Sequence, residues 1–472
     1  MPRVLLSAGV ALALAGGPLP FVERAALAAT PPAGAAFTVP VFHDKLPNGL
    51  QVVVSEDHSS PIVTVEVMYK VGFRIEPKGR TGFAHLFEHM MFQGSRNVGK
   101  IEHVKLVQAN GGVLNGSTRF DYTNYFQTIP SNALELMLWL EADRMRSLAV
   151  TPENLKNQQS VVSEEVRVNV LNQPYAAFEW LSLWQRAHSN WYNAHNFYGD
   201  LSDLEAATIE DVKTFFDTYY APNNAVLVVV GDTTPAEVMK LAVQHFGDIA
   251  PRMVPPLPDL AEPKRNEEQR FSEEDKLART PAVALGYHLP PRLSKAFFAL
   301  ALLDPLLVGD ESARLYQTLV KEKKIATAVG GGVNYQLGNY FDYLDPMLYT
   351  IRVDYLPGRQ SSEVLALVDE VIGSVAAGGV SADDLARART AFKAWFYGEM
   401  AGGGLPGFGR ANMLGAFTLF DGDPKKINTV LAEIDQVTGA DVQAAARDYL
   451  RASNRTSVDR VPVAGAPSGG AR

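Results

Sequence analysis

Apolar and polar positions change rhythm several times along the chain. "LPNGLQVVVSED" (residues 46–57) carries an Asn48-Gly49 turn pair before a β-branched run, and "PIVTVEVMYKVG" (61–72) reads as a second strand. A β-hairpin is therefore expected to open the fold. The next segment, around His85, is helical. It is followed by "GGVLNGSTRFDYTNYFQTIP" (111–130), whose Thr, Tyr and Phe content favours strands. Two long helical patterns come after it, "SNALELMLWLEADRMRSL" (131–148) and "TPENLKNQQSVVSEEVRVNV" (151–170). The second opens on Thr151 as N-cap with Pro152 behind it. "NAVLVVVGD" (224–232) is apolar throughout and reads as a buried strand. The mixture is α+β.

Residues 251–270 hold five prolines and a cluster of charges and are expected to link two domains, one over 37–250 and one over 271–460, with a disordered tail over 461–472. The halves look related. "TIEDVKTFFDTYYAPNN" (208–224) and "TGADVQAAARDYLRASN" (438–454) share Thr208/Thr438, Asp211/Asp441, Val212/Val442, Tyr219/Tyr449 and Asn224/Asn454 at one offset of 230. Thr-x-x-Asp is also a generic helix start, but five ungapped identities favour a duplicated domain.

Composition narrows the class. A chain of 472 residues with 47% hydrophobic and 20% charged residues can bury large cores, and a net charge of −9 offers no basic footprint for nucleic acid. The leader "MPRVLLSAGVALALAGGPLP", with Ala26-Leu27-Ala28 after it, is expected to be a signal peptide over residues 1–28. Gly16, Gly17, Pro18 and Pro20 break its apolar run short of the roughly 20 residues that a membrane span needs. That points to an exported, periplasmic protein with no stable span. With no cysteine, thiol chemistry is excluded, and a metal site must be built from His, Asp and Glu.

"TGFAHLFEHMMFQGS" (81–95) puts three of the chain's chemically versatile side chains in five positions, although the chain has only nine histidines. On a helix, His85 and His89 stand one turn apart and can aim two imidazoles at one ion, with Glu88 bordering the same face as a base. The order is His-x-x-Glu-His, the inverse of the commoner zinc motif. A catalytic zinc needs a third protein ligand, and spacing alone does not supply it.

Here "GFAHLFEHMMFQGS", followed by "VVSEEVRVNVLNQPY" (161–175), resembles the pitrilysin/insulysin family of inverzincin metallopeptidases. The likeness is to its smaller-chain branch, which includes mitochondrial processing peptidases and bacterial heterodimeric zinc peptidases. "HNFYGDLSDLEAATIEDVKTFFDTYYAPNNAVLVVVGD" (195–232) is also similar to the stretch that closes the family's first domain. The family's Val-Val-x-x-Glu-x-Arg pattern falls on Val161, Val162, Glu165 and Arg167, with Pro174 nine residues after the Glu. Glu165 is thus the implied third ligand, with Glu164 the competing carboxylate. The resemblance implies two homologous α+β domains, each a mostly antiparallel sheet backed by helices, forming half of a clam-shell chamber. It implies one Zn2+ per chain, with Glu88 passing a proton from water to the leaving amine.

In the family the peptide is held as an added strand, and the matching segment offers Asn115, Gly116, Ser117 and Thr118. A twisted strand whose Gly116 marks a bulge or a close approach accounts for the same residues. Family members that work alone carry an Arg and a Tyr in the second domain. The aligned stretch "SARLYQTLVKEKKIATAV" (312–329) has Val320 and Thr327 there, with Lys321 or Arg314 as possible substitutes. A homologous partner subunit supplying that pair is therefore expected. The alternative is a non-catalytic structural or peptide-binding subunit. His103, His188, His195, His245 and His288 lack partner spacing and are read as surface or core residues. The glycine-rich loop 401–409 lacks the Lys-Ser/Thr ending of a phosphate loop.

Overall fold

The computed structural model describes residues 37–463 except 177, 336, 403 and 404. The expected signal peptide and residues 464–472 of the expected tail lie outside the described residues. From Val39 onward the described chain forms one compact unit.

Two sheets organise it. The first has the order β1-β2-β6-β3-β5-β4, built from Phe42–Lys45, Gln51–Glu56, Ala225–Gly231, Ile62–Tyr69, Thr123–Pro130 and Val113–Thr118 in that order. The second has the order β7-β11-β8-β10-β9, from Gln269–Asp275, Arg455–Pro462, Ala282–His288, Leu348–Tyr355 and Ala326–Val333. In each sheet one pair is parallel, β2 with β6 and β7 with β11, and the other pairs are antiparallel. The fold is α+β with a repeated half.

The hairpin expected from β2 and β3 does not form. The turn at Asn48 and Gly49, where Gly49 has φ +95°, joins β1 to β2, and β6 lies between β2 and β3. The reason is burial. Every residue of β6 is buried, and a strand apolar on both faces belongs in the middle of a sheet. Two boundaries also move. β7 begins at Gln269, inside the expected linker, and β11 runs to Pro462, inside the expected tail, because these two strands extend each other's ladder.

The repeat seen in the sequence is a repeated piece of structure. The helices Ile209–Tyr219 and Gly439–Tyr449 both start on a capping box, Thr208 with Asp211 and Thr438 with Asp441. Asn224 then donates to Tyr219 O at 2.9 Å, and Asn454 donates to Tyr449 O at 2.8 Å. Each asparagine fixes the turn that feeds β6 or β11.

The halves also exchange their cover. The helix Phe408–Asp421 from the second half lies on β3 and β6, where a Cβ on Gly415 would stand 3.1 Å from Met68. In return, Phe178 and Leu183 of the first half bury Ala282, Ala284 and Val458 of the second sheet. Arg74, fully buried, crosses between the halves: it donates to the carbonyls of Leu344 and Pro346, both at 3.2 Å, and pairs with Asp121 at 3.3 Å. Asp121 in turn accepts from the Leu344 N–H at 2.7 Å. Replacing Arg74 by Met would strand a buried carboxylate, at a cost of about 3–5 kcal/mol. The guanidinium unfolding midpoint of Arg74→Met should fall clearly; a wild-type midpoint would show that this crossing is dispensable.

Candidate metal centre

The helix Phe83–Met90 carries the His-x-x-Glu-His motif, and seven of its eight residues are buried. A helix so enclosed cannot leave its end groups to water. Its first free N–H groups, those of Gly82 and Ala84, donate to the buried carboxylate of Glu76 at 2.8 and 2.6 Å. Negative charge at this end also suits the helix dipole. The Nε2 of His195 lies 3.7 Å from the same carboxylate and 2.6 Å from Phe73 O. Gly82 has φ +85°, and a Cβ there would come within 2.7 Å of Tyr198 O. Only glycine lets the segment at Tyr198 cross so closely, and the crossing sets the Tyr198 ring 5.4 Å from that of His85. At the other end, Tyr125 of β5 donates to Phe87 O at 3.0 Å.

A second helix, Pro152–Val166, packs beside the motif helix. Thr151 caps it, and its side chain accepts from Asn154 N. Val162 and Val166 face the core, which turns Glu165 toward the histidines. The helix continues as a π-helical turn over Arg167–Leu171, a local widening that recurs near functional sites.

The ends of three side chains converge. Glu165 Oε1 lies 3.6 Å from His85 Nε2, and its Oε2 lies 3.2 Å from His89 Nε2. All three ligand atoms fall within 4.8 Å of one another, and the three residues form a possible metal-binding group among the described residues. Tetrahedral zinc with bonds of about 2.0–2.1 Å sets its ligands roughly 3.3 Å apart, so the observed spacing suits it. The donor set, two imidazoles and one carboxylate, also suits a zinc that keeps an open position. Glu164 points elsewhere. It is well exposed, with Arg167 at 4.0 Å.

Electrostatics match this convergence. Burial opposes a charge on His85, but Glu165 and Glu88 outweigh it and hold the imidazole above its ordinary value. Burial likewise opposes ionisation of Glu165, and the two histidines overcome it, holding that carboxyl well below the usual range. One atom is left over: His85 Nδ1 is buried with no hydrogen-bond partner among the described residues, an arrangement that works against the folded state.

Glu88 is buried beside the cluster, and the Thr118 hydroxyl donates to its Oε2 at 2.8 Å. Thr118 ends β4, one of the two edge strands of the first sheet. The other residues expected to hold substrate lie along that strand. Asn115 is exposed and accepts from Gly116 N, a Cβ on Gly116 would stand 3.1 Å from the Tyr125 ring, and Ser117 donates to Asn124 at 2.6 Å. The side chains of Ser117 and Thr118 are thus committed within the protein, which leaves the strand's main chain as the free feature. The register of β4 on β5 is continuous, so Gly116 marks a close approach and not a bulge.

In the second half, Val320 sits half-buried on the π-helical turn Gln317–Glu322 and packs on the core. Thr327 lies in β9, exposed, and donates to Asp354 O at 3.2 Å. Neither proposed substitute is free. Lys321 pairs with Glu311 at 3.5 Å and Arg314 with Asp384 at 2.9 Å. Glu76, Tyr198 and the role of Thr118 were not singled out in the sequence. Glu76 precedes Pro77 with no periodic signal, and its only cue is a lone acid just upstream of a helix that begins on glycine.

Comparisons with known proteins give the family and the fold in which this cluster sits. Residues 51–190, which contain the whole cluster, match the family model described as insulinase (peptidase family M16), and residues 206–392 match that of the peptidase M16 inactive domain. The zinc protease PqqE of Helicobacter pylori is 34% identical over 289 residues, covering 60% of this chain and 64% of that protein. An uncharacterized zinc protease of Mycobacterium leprae is 26% identical over 423 residues, covering 88% of this chain and 91% of that one. The crystal structure of a protease from Helicobacter pylori superposes with a TM-score of 0.82 at 26% identity, covering 90% of this chain and all of that one. A chain with this cluster, this doubled sheet and these relatives belongs to peptidase family M16, the insulinase family.

Proposed function

We propose that the chain is a zinc-dependent endopeptidase acting on unfolded peptides, with His85, His89 and Glu165 holding the metal and Glu88 as general base. The observation that carries this reading is the convergence of the three ligand atoms within 4.8 Å, with a fourth, buried acid beside them. Zinc held there supplies Lewis acidity, which acidifies water and polarises a carbonyl. The chain's own residues do the rest. Glu88 takes a proton from the attacking water on its free oxygen and delivers it to the departing amine nitrogen. The unpaired edge of β4, from Asn115 to Thr118, offers main-chain donors and acceptors that align an extended peptide. Backbone pairing of this kind binds many sequences.

The reading includes a second subunit. Val320 and Thr327 leave the second half without a guanidinium or phenol at those positions, and Lys321 and Arg314 are both held in ion pairs. A homologous partner supplies that pair, and this chain supplies the metal and the base. Among the described residues no single helix is long and apolar enough to cross a membrane. The leader over residues 1–28 supports export to the periplasm as part of the same proposal.

The test is an assay of peptide hydrolysis by the purified chain, alone and after co-purification from its host, with and without a chelator. Chelator-sensitive activity that rises at least about tenfold with a partner is expected. Full activity in the isolated monomer would remove the partner from the reading, and hydrolysis indifferent to chelation would remove the metal.

A further inference from the structure

The side chain of Thr118 has a use that strand addition does not require. A glutamate has three rotatable bonds, and a base must keep one oxygen on the reacting water throughout a turnover. Glu88 Oε2 receives the Thr118 hydroxyl at 2.8 Å, the one side-chain hydrogen bond made to that carboxylate among the described residues. The same hydroxyl lies 3.4 Å from Ala84 O, one turn earlier on the motif helix. Thr118 is itself rigid: it is buried, β-branched, and paired with Thr123 across the hairpin.

We propose that Thr118 is a positioning residue for the base: its hydroxyl locks the Glu88 carboxylate in one rotamer, occupying one oxygen and leaving the other to exchange protons. Because Thr118 is also the last residue of the edge strand, this bond sets the base in fixed register with the strand that aligns the peptide. The side chain touches no substrate. The inference rests on the peptidase reading and adds to it a fifth side chain, supplied by a different element from those that hold the metal.

The experiment compares Thr118→Val, which keeps the shape and removes the donor, with Thr118→Ser, which keeps the donor. In the full chain with its partner, Thr118→Val should lower kcat by about ten- to a hundredfold, the range for losing a hydrogen bond to a charged group. KM should stay within about twofold, and Thr118→Ser should recover most of the loss. Two further readouts do not depend on turnover. Zinc affinity, measured by chelator competition, should be unchanged in Thr118→Val. The affinity of a fluorescent peptide for Glu88→Gln protein should also be the same with and without Thr118→Val. An unchanged kcat, equal impairment by Val and Ser, weaker zinc binding, or weaker peptide binding would each overturn the proposal, the last by making Thr118 a substrate contact. A wild-type arm without chelator-sensitive hydrolysis would instead overturn the peptidase reading beneath it, so the two failures are told apart.

Discussion

Glu88→Gln should leave zinc in place and reduce turnover by about 10²- to 10⁴-fold, the usual contribution of a positioned general base. The reasoning is local. Glutamine has nearly the same shape as glutamate, and its carbonyl oxygen can still accept the Thr118 hydroxyl that now bonds to Oε2. The site therefore keeps its packing, and the three ligand side chains are untouched. What disappears is the capacity to take up a proton between the attack of water and the departure of the amine. Steady-state hydrolysis and metal analysis on the same preparation check this. A variant that kept both metal and normal kcat would show that Glu88 is not the base.

Glu165→Gln should have an effect of the same size by a different route. It removes the only carboxylate among the three converging ligands, and the amide left behind is a poor ligand for a divalent cation. Changing an outer partner of a metal ligand already costs about 10–100-fold in affinity, so removing a ligand should cost more than about 100-fold. Activity should fall with occupancy. Glu164→Gln is the control, since that side chain points to Arg167, and it should bind zinc as the wild type does.

The metal-free protein gives an independent reading of the same contact. His85 is raised above its ordinary 6.5, so its pairing stabilises the fold below that pH and fades as pH rises through the raised value. Glu165 is held below its ordinary 4.5, so its share is present above that pH and is lost in acid. Both contributions coexist between about pH 4.5 and 6.5. In that window, thermal melting of metal-free Glu165→Gln should fall furthest below wild type. Parallel pH profiles for the two proteins would place Glu165 away from the histidines.

Much of this could be read from the chain because it is carried by local chemistry. Four of the five repeated positions, the capping Thr with its Asp and the turn Asn with its Tyr carbonyl, make their bonds within a few residues, so the sequence displayed the repeat directly. His85, Glu88 and His89 lie on one helical face for the same reason. What could not be read depends on contacts distant in sequence. The hydrophobicity of β6 was evident, but its insertion between β2 and β3 is a matter of topology. The helix Phe408–Asp421 carries no mark of belonging on the other half's sheet, because an apolar face does not name its partner. Glu165 and Glu164 were separated only by phase: Val162 and Val166, buried on the core side, decide which acid turns inward. Thr118 looked like part of a binding strand, and its bond to Glu88 spans thirty residues.

The central claim is that two imidazoles and one carboxylate hold a single zinc ion beside Glu88. The most direct measurement is an anomalous-scattering map collected at the zinc edge from crystals of the full chain grown with equimolar zinc. One peak is predicted, about 2.0–2.2 Å from His85 Nε2, His89 Nε2 and an oxygen of Glu165. No peak there, or a peak held by other side chains, would contradict it.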